Sequence, residues 1–550
     1  MIPLRLKTAT RIGSWRYKRV VLTGAMVLAA LPAAAASRST QEEVTRDFQK
    51  SLTLGAGQSV SVDHRFGEVR IHGGSGREVK INATIRVQAG SRSDSEAFAD
   101  KIRIEVEQTG EGVRVRTVYP EEEKRWFSLG RRSSYSVNYD IGMPADAPLR
   151  VKNSFGSVGT TGVHGAGDLE NSHGSLTVRD AGAARLNNSF GSIELGGASG
   201  NVYLSDNNGS VQVFDVKGTL EIRNRFGSIS ARNIQGSATI TGGNGALELA
   251  DSGAATIINS FGSVNARNIR GDLSVHDNNG NVEVSAIAGG IDVTNSFGNV
   301  TFNDVHGHVN CTTHNGRVRG SAPGGGAVTI RDSFGNIELD TIVGALDAET
   351  SNGKITVRDA RSSVTLKSSF GAIEASNVPK GISAVTGNGA LNLTDIGGDT
   401  YAKTSFGSIL VERIGGNLTA ENSNGSVTAR NVKGDAAVDT SFASVTLEAI
   451  GGRIRVDNQN GTISVSASRP ASGCRDISLK TSFSSIRVGV SEGLGYNLTA
   501  RTSFGRVNTE IPITATGSMG GETLNGTIGS GGCQLQLTNS NGNIEITKAR

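Results

Sequence analysis

The sequence predicts an all-β protein, a parallel β-solenoid with two strands in each coil of about 18 residues and a small mixed α+β cap at the N-terminus. Three observations support this prediction. A short motif recurs every 17 to 19 residues, a branched aliphatic residue follows it at a fixed phase, and a corner rich in Asn and Gly comes next. A fixed short period of this kind is typical of stacked-coil architectures.

The repeated motif alternates between Phe-Gly and Asn-Gly through eighteen copies between Phe155 and Gly461. We call its second residue the mark; it is glycine everywhere except at Ala443. Phenylalanine precedes the mark at Phe155, Phe190, Phe226, Phe261, Phe297, Phe334, Phe370, Phe406 and Phe442, and asparagine precedes it at Asn208, Asn244, Asn279, Asn315, Asn352, Asn388, Asn424 and Asn460. His173 is the one departure from this alternation.

Each repeat contains two strand-like runs separated by corners. A branched aliphatic residue lies two positions after all eighteen marks, and apolar and polar residues then alternate. Period-two alternation indicates a strand with one buried face. A second corner follows, as in Asn233-Ile-Gln-Gly236, because Asn and Gly tolerate the positive φ of tight turns. Another alternating run, as in Leu273-Ser-Val275, leads to the next mark.

Antiparallel hairpins are the alternative to stacked coils, because an Asn-Gly pair between alternating runs is also a hairpin signal. Stacking is favoured because identical residue types recur at identical phase. They form regular columns only when each coil lies on the last one in register and in parallel. At a strand spacing of about 4.8 Å, seventeen steps predict a rod of roughly 80 Å.

The chain divides into four segments. Residues 1–36 are typical of a secretory signal, with six basic residues, an apolar run too short to span a membrane, and small residues before Ser37. Residues 37–149 predict a β-rich cap with one short helix at 93–100 and one isolated coil around Phe66. The regular solenoid is expected over 150–468, and irregular coils of the same solenoid over 469–550.

Charge gives no indication of a nucleic-acid partner. Removing residues 1–36, with six basic and no acidic residues, changes 55 basic and 51 acidic residues into 49 and 51. A nearly neutral chain has no general attraction for nucleic acid or for an anionic membrane. We therefore expect no nucleic-acid partner, no transmembrane helix in the mature chain, and export to the periplasm, the cell surface or the exterior.

The sequence predicts the position of one of the three cysteines and leaves the pairing of the other two open. Cys311 lies at an inward phase and is expected in the core. Cys474 and Cys533 are about three coils apart in the chain, roughly 14 Å by the strand spacing, which is beyond disulfide reach unless their loops fold together. An oxidising compartment would permit the bond, so the pairing stays open.

The C-terminal end of the predicted solenoid shows no recognisable cap. Its last edge is expected to be covered either by the longer loops of residues 469–550 or by a partner. Self-association through this C-terminal edge is therefore one expectation, since an uncovered strand edge can pair with another chain.

The block VNYDIGMPADAPLRVKNSFGSVGT at residues 137–160, followed by many short coils, resembles the bacterial putative-adhesin family, a group of β-solenoid domains without established function. The resemblance covers most of the mature chain. It implies a β-solenoid fold and supplies no catalytic residues. The alternation of Phe and Asn is more regular here than is typical of that family.

The phenylalanines before the marks are the candidate functional residues, and the sequence allows two placements. If they point outward, they form a ladder of aromatic platforms about 9.6 Å apart, near the length of a disaccharide unit and suited to sugar faces. If they point inward, they fill the end of the core in alternation with the smaller asparagines. The inward placement is favoured, because an exposed row would be a large apolar stripe prone to association.

The other polar residues favour structural interpretations. The asparagines before the marks are expected to satisfy backbone groups of the corners. Arginines five residues past the mark, such as Arg179 and Arg430, are expected on a solvated face, with a weak groove for anionic glycan as the alternative. His306 and His308 lack the matching ligands of a metal site. Outward glutamates, such as Glu194 and Glu338, are spaced singly rather than as a catalytic pair.

These observations predict an exported, non-catalytic β-solenoid that acts as an adhesin or envelope scaffold and binds glycan or cell-surface protein. We predict no catalytic residue, no cofactor and no metal ligand. Two alternatives stay open: a polysaccharide-degrading β-helix enzyme, and a self-assembling subunit of a surface fibre.

Overall fold

The structure is a computed structural model that describes residues 43–120, 134–466, 473–516 and 521–549. Eighteen pairs of strands stack in parallel along residues 149–466. The predicted fold class, a parallel β-solenoid with one short helix near its N-terminus, is confirmed, and the hairpin alternative is wrong for this region. The predicted signal segment, residues 1–36, lies outside the described residues.

The two ends of the chain are built from fifteen strands and one helix. The N-terminal elements are β1 (Glu43–Thr53), β2 (Ser59–Asp63), β3 (Val69–Gly74), β4 (Glu78–Gln88), α1 (Arg92–Ala99), β5 (Arg103–Thr109), β6 (Gly112–Val118) and β7 (Ser134–Pro144). The C-terminal elements are β44 (Ile477–Phe483), β45 (Ile486–Val490), β46 (Tyr496–Arg501), β47 (Val507–Thr509), β48 (Ile513–Ala515), β49 (Thr523–Ile528), β50 (Cys533–Asn541) and β51 (Ile544–Lys548).

The regular coils between these ends form two facing sheets. Sheet 1 holds the strands that lead into the marks: β8 (Leu149–Phe155), β10 (Gly167–His173), β12 (Ala184–Phe190), β14 (Val202–Asn208), β16 (Leu220–Phe226), β18 (Ala238–Asn244), β20 (Ala255–Phe261), β22 (Leu273–Asn279), β24 (Ile291–Phe297), β26 (Val309–Asn315), β28 (Val328–Asp332), β30 (Leu346–Thr350), β32 (Val364–Ser368), β34 (Ile382–Thr386), β36 (Thr400–Thr404), β38 (Leu418–Asn422), β40 (Ala436–Phe442) and β42 (Ile454–Asn460). Sheet 2 holds the strands that follow the marks: β9 (Val158–Thr161), β11 (Leu176–Ala181), β13 (Ile193–Ala198), β15 (Val211–Val216), β17 (Ile229–Ile234), β19 (Leu247–Ser252), β21 (Val264–Ile269), β23 (Val282–Ile287), β25 (Val300–Val305), β27 (Val318–Ala322), β29 (Ile337–Ile342), β31 (Ile355–Ala360), β33 (Ile373–Val378), β35 (Leu391–Ile396), β37 (Ile409–Ile414), β39 (Val427–Val432), β41 (Val445–Ile450) and β43 (Ile463–Ser466).

The core is a thin apolar layer between the inner faces of the two sheets. In the coil formed by β22 and β23, the inward residues Leu273, Val275, Val282, Val284 and Ile287 are each at most 1% exposed. The outward residues between them are polar except Ala286, as the alternation predicts. Because strands pair in register from coil to coil, equivalent residues form continuous columns along the rod.

The second corner, which joins sheet 2 to the next strand of sheet 1, contains a residue in the left-handed region. Asn233, Asn268 and Asp304 have φ values of 56°. Asn and Asp tolerate this conformation better than most side chains. In successive coils, Asn268 also donates a hydrogen bond to Asp251 at 2.9 Å. The Asn/Asp-Ile/Val-x-Gly pattern of the sequence therefore marks this turn.

Glycine at the mark is required by the close stacking of corners. At Gly298, φ is 125°, and an added Cβ would lie 2.0 Å from the carbonyl oxygen of Gly280 in the preceding coil. No side chain fits at that distance, and a φ of this size is essentially restricted to glycine. The Phe-Gly and Asn-Gly motifs are thus steric requirements of stacking as well as turn signals.

The N-terminal cap contains the isolated coil expected around Phe66. Strands β2 and β3 form this coil and pair in parallel with β8 and β9, so it stacks directly on the first regular coil. Beyond it, β7, β4 and β1 continue sheet 2 in antiparallel order, and β6 and β5 form an antiparallel pair in sheet 1. Helix α1, capped by Ser91, packs on β1 and β4.

The C-terminal end departs from the order of the chain. The last coil, β50 and β51, lies between the coil of β44 and β45 and the coil of β46 and β47. Strand β49 then pairs antiparallel with β46, and β48 pairs with β49. The longer loops therefore cover sheet 1 at this end, which is the first of the two coverings that the sequence left open.

This insertion also brings Cys474 and Cys533 together. The two residues form a disulfide with a Cα–Cα distance of 5.8 Å. The estimate of a three-coil separation is wrong because it assumes that coils stack in chain order, whereas β44 and β50 are immediate neighbours. Cys311 is a buried free cysteine, as expected for a core residue.

Candidate binding surface: the phenylalanine row

The nine phenylalanines before the marks lie on the surface of the rod. Their exposed fractions range from 42% at Phe155 and Phe226 to 63% at Phe406. The favoured expectation of inward packing is therefore wrong. These side chains, together with Phe483 and Phe504 at the C-terminal end, form what we call the phenylalanine row.

The reason for the outward placement lies in the last residues of each sheet 1 strand. In β24, Ile291, Val293 and Asn295 point inward in strict alternation, and the same parity would place Phe297 inward. The chain turns instead after Asn295, whose Nδ2 donates hydrogen bonds to the carbonyl oxygens of Gly280 at 3.0 Å and Gly298 at 3.1 Å. This amide closes the end of the core and leaves Phe297 outside.

The phenylalanines are held at a spacing of two coils. Parallel pairing places Phe190 beside Asn208, Asn208 beside Phe226, and Phe226 beside Asn244. One asparagine thus separates each pair of rings, and the rings lie about 9.6 Å apart at the usual strand spacing. The asparagines before the marks are mostly exposed, so they form the floor between the rings.

At the N-terminal end the row becomes a continuous aromatic stack. Phe66 is stacked on Phe155 with ring centroids 5.3 Å apart, and His173 lies between Phe155 and Phe190 at 4.6 and 4.9 Å. His173 is the single departure from the alternation in the sequence. Its flat ring therefore continues the aromatic stack between Phe155 and Phe190. Tyr119 and Tyr135 contact the edges of Phe66 and close this end.

At the C-terminal end, Phe and Asn alternate between coils that are neighbours in the structure, although they do not alternate along the chain. The chain order of the motifs after Asn460 is Phe483, Phe504, Asn525 and Asn541. In the structure, Phe483 pairs with Asn460 on one side and with Asn541 on the other, and Asn541 pairs with Phe504. The inserted coil thus preserves the two-coil spacing of rings where the sequence alone breaks it.

A buried polar ladder lies beneath the row and was not recognised from the sequence. The residue three before the mark is Asn, Asp, Thr or Ser in nearly every coil, and Asn188, Asn224 and Asn422 each donate to glycine carbonyls of two successive corners. These buried amides satisfy carbonyl groups of the corners, and among the asparagines before the marks Asn352 also donates to a backbone carbonyl, that of Ser333, at 3.5 Å. The fixed phase of the buried amides is the signal that could have revealed them.

Three carboxyl groups replace asparagine in this ladder, at Asp206, Asp277 and Asp332, and burial raises the pKa of all three. For Asp206 and Asp277 the pKa rises from 3.8 to about 6, although neighbouring backbone N–H groups partly favour the ionised form. A folded-state pKa above the unfolded value means that the folded chain binds the proton more tightly. Asp206 and Asp277 therefore each stabilise the fold below about pH 4, and this stabilisation is lost as the pH rises through about 6.

Replacing Asp206 and Asp277 by asparagine is expected to raise the melting temperature at pH 8 and to flatten its dependence on pH between 4 and 7. Asparagine at this position donates to the corner carbonyls and carries no charge to bury, as Asn188 and Asn224 illustrate. Thermal melts over this pH range, with exposed Asp63→Asn as control, measure the effect. A gain at pH 8 that persists unchanged at pH 4 would contradict it.

A polar groove of about 650 Å³ borders the row near its C-terminal end. It is lined by residues two, three and four before the marks of five adjacent coils, among them Lys403, Glu421, Asp439, Asp457 and Lys480. The Nζ of Lys403 lies 2.7 Å from Glu421 Oε2, and the Nζ of Lys480 lies 3.1 Å from Asp457 Oδ2. Asp439 lies between these two ion pairs in the sheet.

Several of the arginines and glutamates singled out in the sequence form ion pairs on the outer face of sheet 2. Arg179 contacts Glu194 at 2.7 Å, and Arg430 contacts both Glu412 and Glu448 at 3.1 and 3.0 Å. Exposed pairs of this kind contribute little to stability. Their arrangement fits the solvated face that the sequence favours.

Other candidate sites are separate in the structure. His308 lies 3.4 Å from Asp292, and His306 lies 3.8 Å from Asp304. In the described part of the chain, no three His, Cys, Asp or Glu side chains converge in a way that could hold a metal ion. The described ranges also include no helix with the length and apolar character needed to cross a membrane.

Two solved structures show a distant similarity to this chain. A putative cell adhesion protein from Clostridium sporogenes matches over 52% of this chain and 100% of its own, at 9% identity with a TM-score of 0.14. A putative adhesin from Parabacteroides distasonis matches over 68% of this chain and 97% of its own, at 10% identity with a TM-score of 0.12. No protein-family model and no curated protein sequence matches the chain.

Proposed function

We propose that this protein is an exported, non-catalytic β-solenoid of the putative-adhesin type, an adhesin or envelope scaffold that holds a glycan or a cell-surface protein against its phenylalanine row. The observation that carries the proposal is the outward placement of the nine rings at a constant spacing. Nine half-exposed rings present roughly 900 Å² of apolar surface, since an aromatic side chain offers ~150–250 Å². Exposed asparagines separate the rings, so this area forms a row of regularly spaced platforms rather than one contiguous patch.

The disulfide supports export. Such bonds persist in oxidising compartments and are rare in the cytosol of most organisms. The Cys474–Cys533 bond closes the C-terminal end of the rod, so folding in such a compartment would complete the structure. This agrees with the signal-like character of residues 1–36 in the sequence.

The two alternatives have weaker support. The outward glutamates that would serve an enzyme lie in separate ion pairs, as Glu338 does with Arg317 and Glu374 with Lys354. Growth of a fibre from the C-terminal end would need a free strand edge. Strands β48 and β49 cover sheet 1 there, and β47 in sheet 2 has only three residues, a length that discourages edge pairing.

A triple variant in the middle of the row, Phe261→Ser, Phe297→Ser and Phe334→Ser, is expected to lose the part of its adsorption to target surfaces that these three rings provide and to keep its fold. These rings are 52%, 53% and 61% exposed, so their removal takes little from the core. Biolayer interferometry on immobilised neutral and acidic polysaccharides and on a collagen-coated surface measures the loss, with circular dichroism as the test of folding.

Phe214→Ser is the matched control, because Phe214 is 37% exposed but lies on the outer face of sheet 2, away from the row. Equal adsorption of the native chain and the triple variant to every surface would refute the proposed role of the row. Equal loss in the triple variant and the Phe214 control would show that adsorption is a general effect of apolar surface.

A further inference from the structure

The residues of the polar groove beside Phe406, Phe442 and Phe483 indicate which class of ligand this part of the row can bind. Ser405, Ser441 and Ser482 line the groove, and each directly precedes one of these phenylalanines in the chain. The three rings are 63%, 52% and 51% exposed. A row of aromatic rings and a row of hydrogen-bonding groups therefore lie next to each other over five coils.

The charges of the groove argue against an anionic ligand. Two lysines and three carboxylates line it, which leaves one negative charge in excess. Lys403 and Lys480 are each engaged by a neighbouring carboxylate, so neither is free to receive an anion. Asp439 is exposed between the two pairs, where its oxygens face solvent and can accept hydrogen bonds.

The same charges argue against a second copy of the chain as the occupant. A protein–protein interface over the groove would desolvate three carboxylates and two ammonium groups, whereas interface cores are depleted of charged residues. A ligand rich in hydroxyl groups avoids this cost, because hydroxyl groups replace the water molecules as hydrogen-bond donors to the carboxylates and acceptors from serine.

We propose that this groove and its three rings bind an extended, neutral polysaccharide of β-linked hexose units. This inference rests on the proposed function of the phenylalanine row. The C–H faces of alternate sugar units lie on Phe406, Phe442 and Phe483, which are two coils or about 9.6 Å apart. Ring hydroxyl groups donate to Asp439 and its neighbouring carboxylates, and the serine hydroxyl groups complete the contacts along the chain.

Isothermal titration calorimetry with cellohexaose tests the inference. Asp439→Ala and Phe442→Ala are each expected to weaken binding by about tenfold, equivalent to ~1.4 kcal/mol, with the native fold retained by circular dichroism. Two controls lie outside both the groove and the phenylalanine row: Glu170→Ala, at the same phase as Asp439, and Phe214→Ala, an exposed ring on the outer face of sheet 2. Both controls are expected to bind cellohexaose as the native chain does, and polygalacturonate is expected not to bind.

Three outcomes would overturn the inference. They are absence of cellohexaose binding by the native chain, stronger binding of polygalacturonate than of cellohexaose, and equal losses in the groove variants and their controls. Sedimentation that shows a dimer dissociated by Phe442→Ala would assign the groove to a second copy instead. None of these outcomes decides the proposed function, because the triple variant in the row tests adsorption away from the groove and on protein as well as glycan.

Discussion

Replacing Phe302 by alanine is expected to lower the free energy of unfolding by ~3–5 kcal/mol, the usual cost of removing a fully buried aromatic ring. Phe302 is 0% exposed, and it lies on β25 between Val284 and Gly320 of the adjacent coils. Phe297, five residues earlier, is 53% exposed. Phe297→Ala is therefore expected to cost only about 1–2 kcal/mol, since roughly half of its area is buried.

Denaturant unfolding followed by circular dichroism, with all variants at one temperature, measures this difference. Because repeat proteins can unfold in parts, the unfolding midpoint and the slope should be compared together. Equal costs at Phe297 and Phe302 would mean that the row is packed like the core, and the surface assigned to it would be wrong.

The pairing of Phe302 with Gly320 offers a second readout of the same packing. An added Cβ at Gly320 would lie 2.3 Å from the Phe302 ring, so Gly320→Val alone is expected to be strongly destabilising. In a Phe302→Val background the space is vacated, and valine at 320 would match the Val and Leu residues of the same column. The double variant should recover stability, with a coupling of ~0.5–3 kcal/mol. Additive losses would contradict this account.

The coil architecture could be predicted from the sequence because stacking repeats the same environment. Seventeen of the eighteen marks are glycine, where corners meet closely, and all eighteen coils have an aliphatic residue two positions later. Gly298 illustrates the first of these features and Val300, which is 0% exposed, the second. The sequence of a single coil would not be sufficient to predict this architecture.

The placement of the phenylalanines could not be predicted because two general rules give the wrong position for Phe297. Strand alternation and the cost of exposing aromatic surface both favour the core. The hydrogen bonds of Asn295 to the carbonyl oxygens of Gly280 and Gly298 decide the outcome, since they close the core one step earlier. Recognition of the polar column at Asn295 and its equivalents would have reversed the prediction.

The order in which the last coils stack also could not be predicted from the sequence pattern. Residues 477–549 carry motifs that look like a simple continuation, with Phe483, Phe504 and Asn541 in chain order. In the fold, Asn541 lies between the two phenylalanines. The inserted coil keeps one asparagine between the two phenylalanines. The fold therefore preserves the alternation of Phe and Asn between neighbouring coils, which the chain order does not show.

Removal of the disulfide is expected to destabilise the C-terminal end of the rod by about 4 kcal/mol, the loop-entropy value for a closure of this size. Cys474 and Cys533 are 59 residues apart, and the bond secures β50, which is inserted between β44 and β46. Without it, the inserted coil and the antiparallel strands β48 and β49 should exchange amide hydrogens faster than the regular coils. Hydrogen exchange of Cys474→Ser/Cys533→Ser against the native chain measures this difference.

Two controls make the disulfide prediction specific. Thiol titration of the denatured native chain should find one free thiol, that of Cys311, and three after reduction, because the sequence has three cysteines and one is free. Reductant should lower the stability of the native chain and of Cys311→Ala alike, and leave the double serine variant unchanged. If the native chain melts identically with and without reductant while its thiol count rises from one to three, the bond does not secure the inserted coil. The contacts of β50 with β44 and β46 would then suffice to hold it.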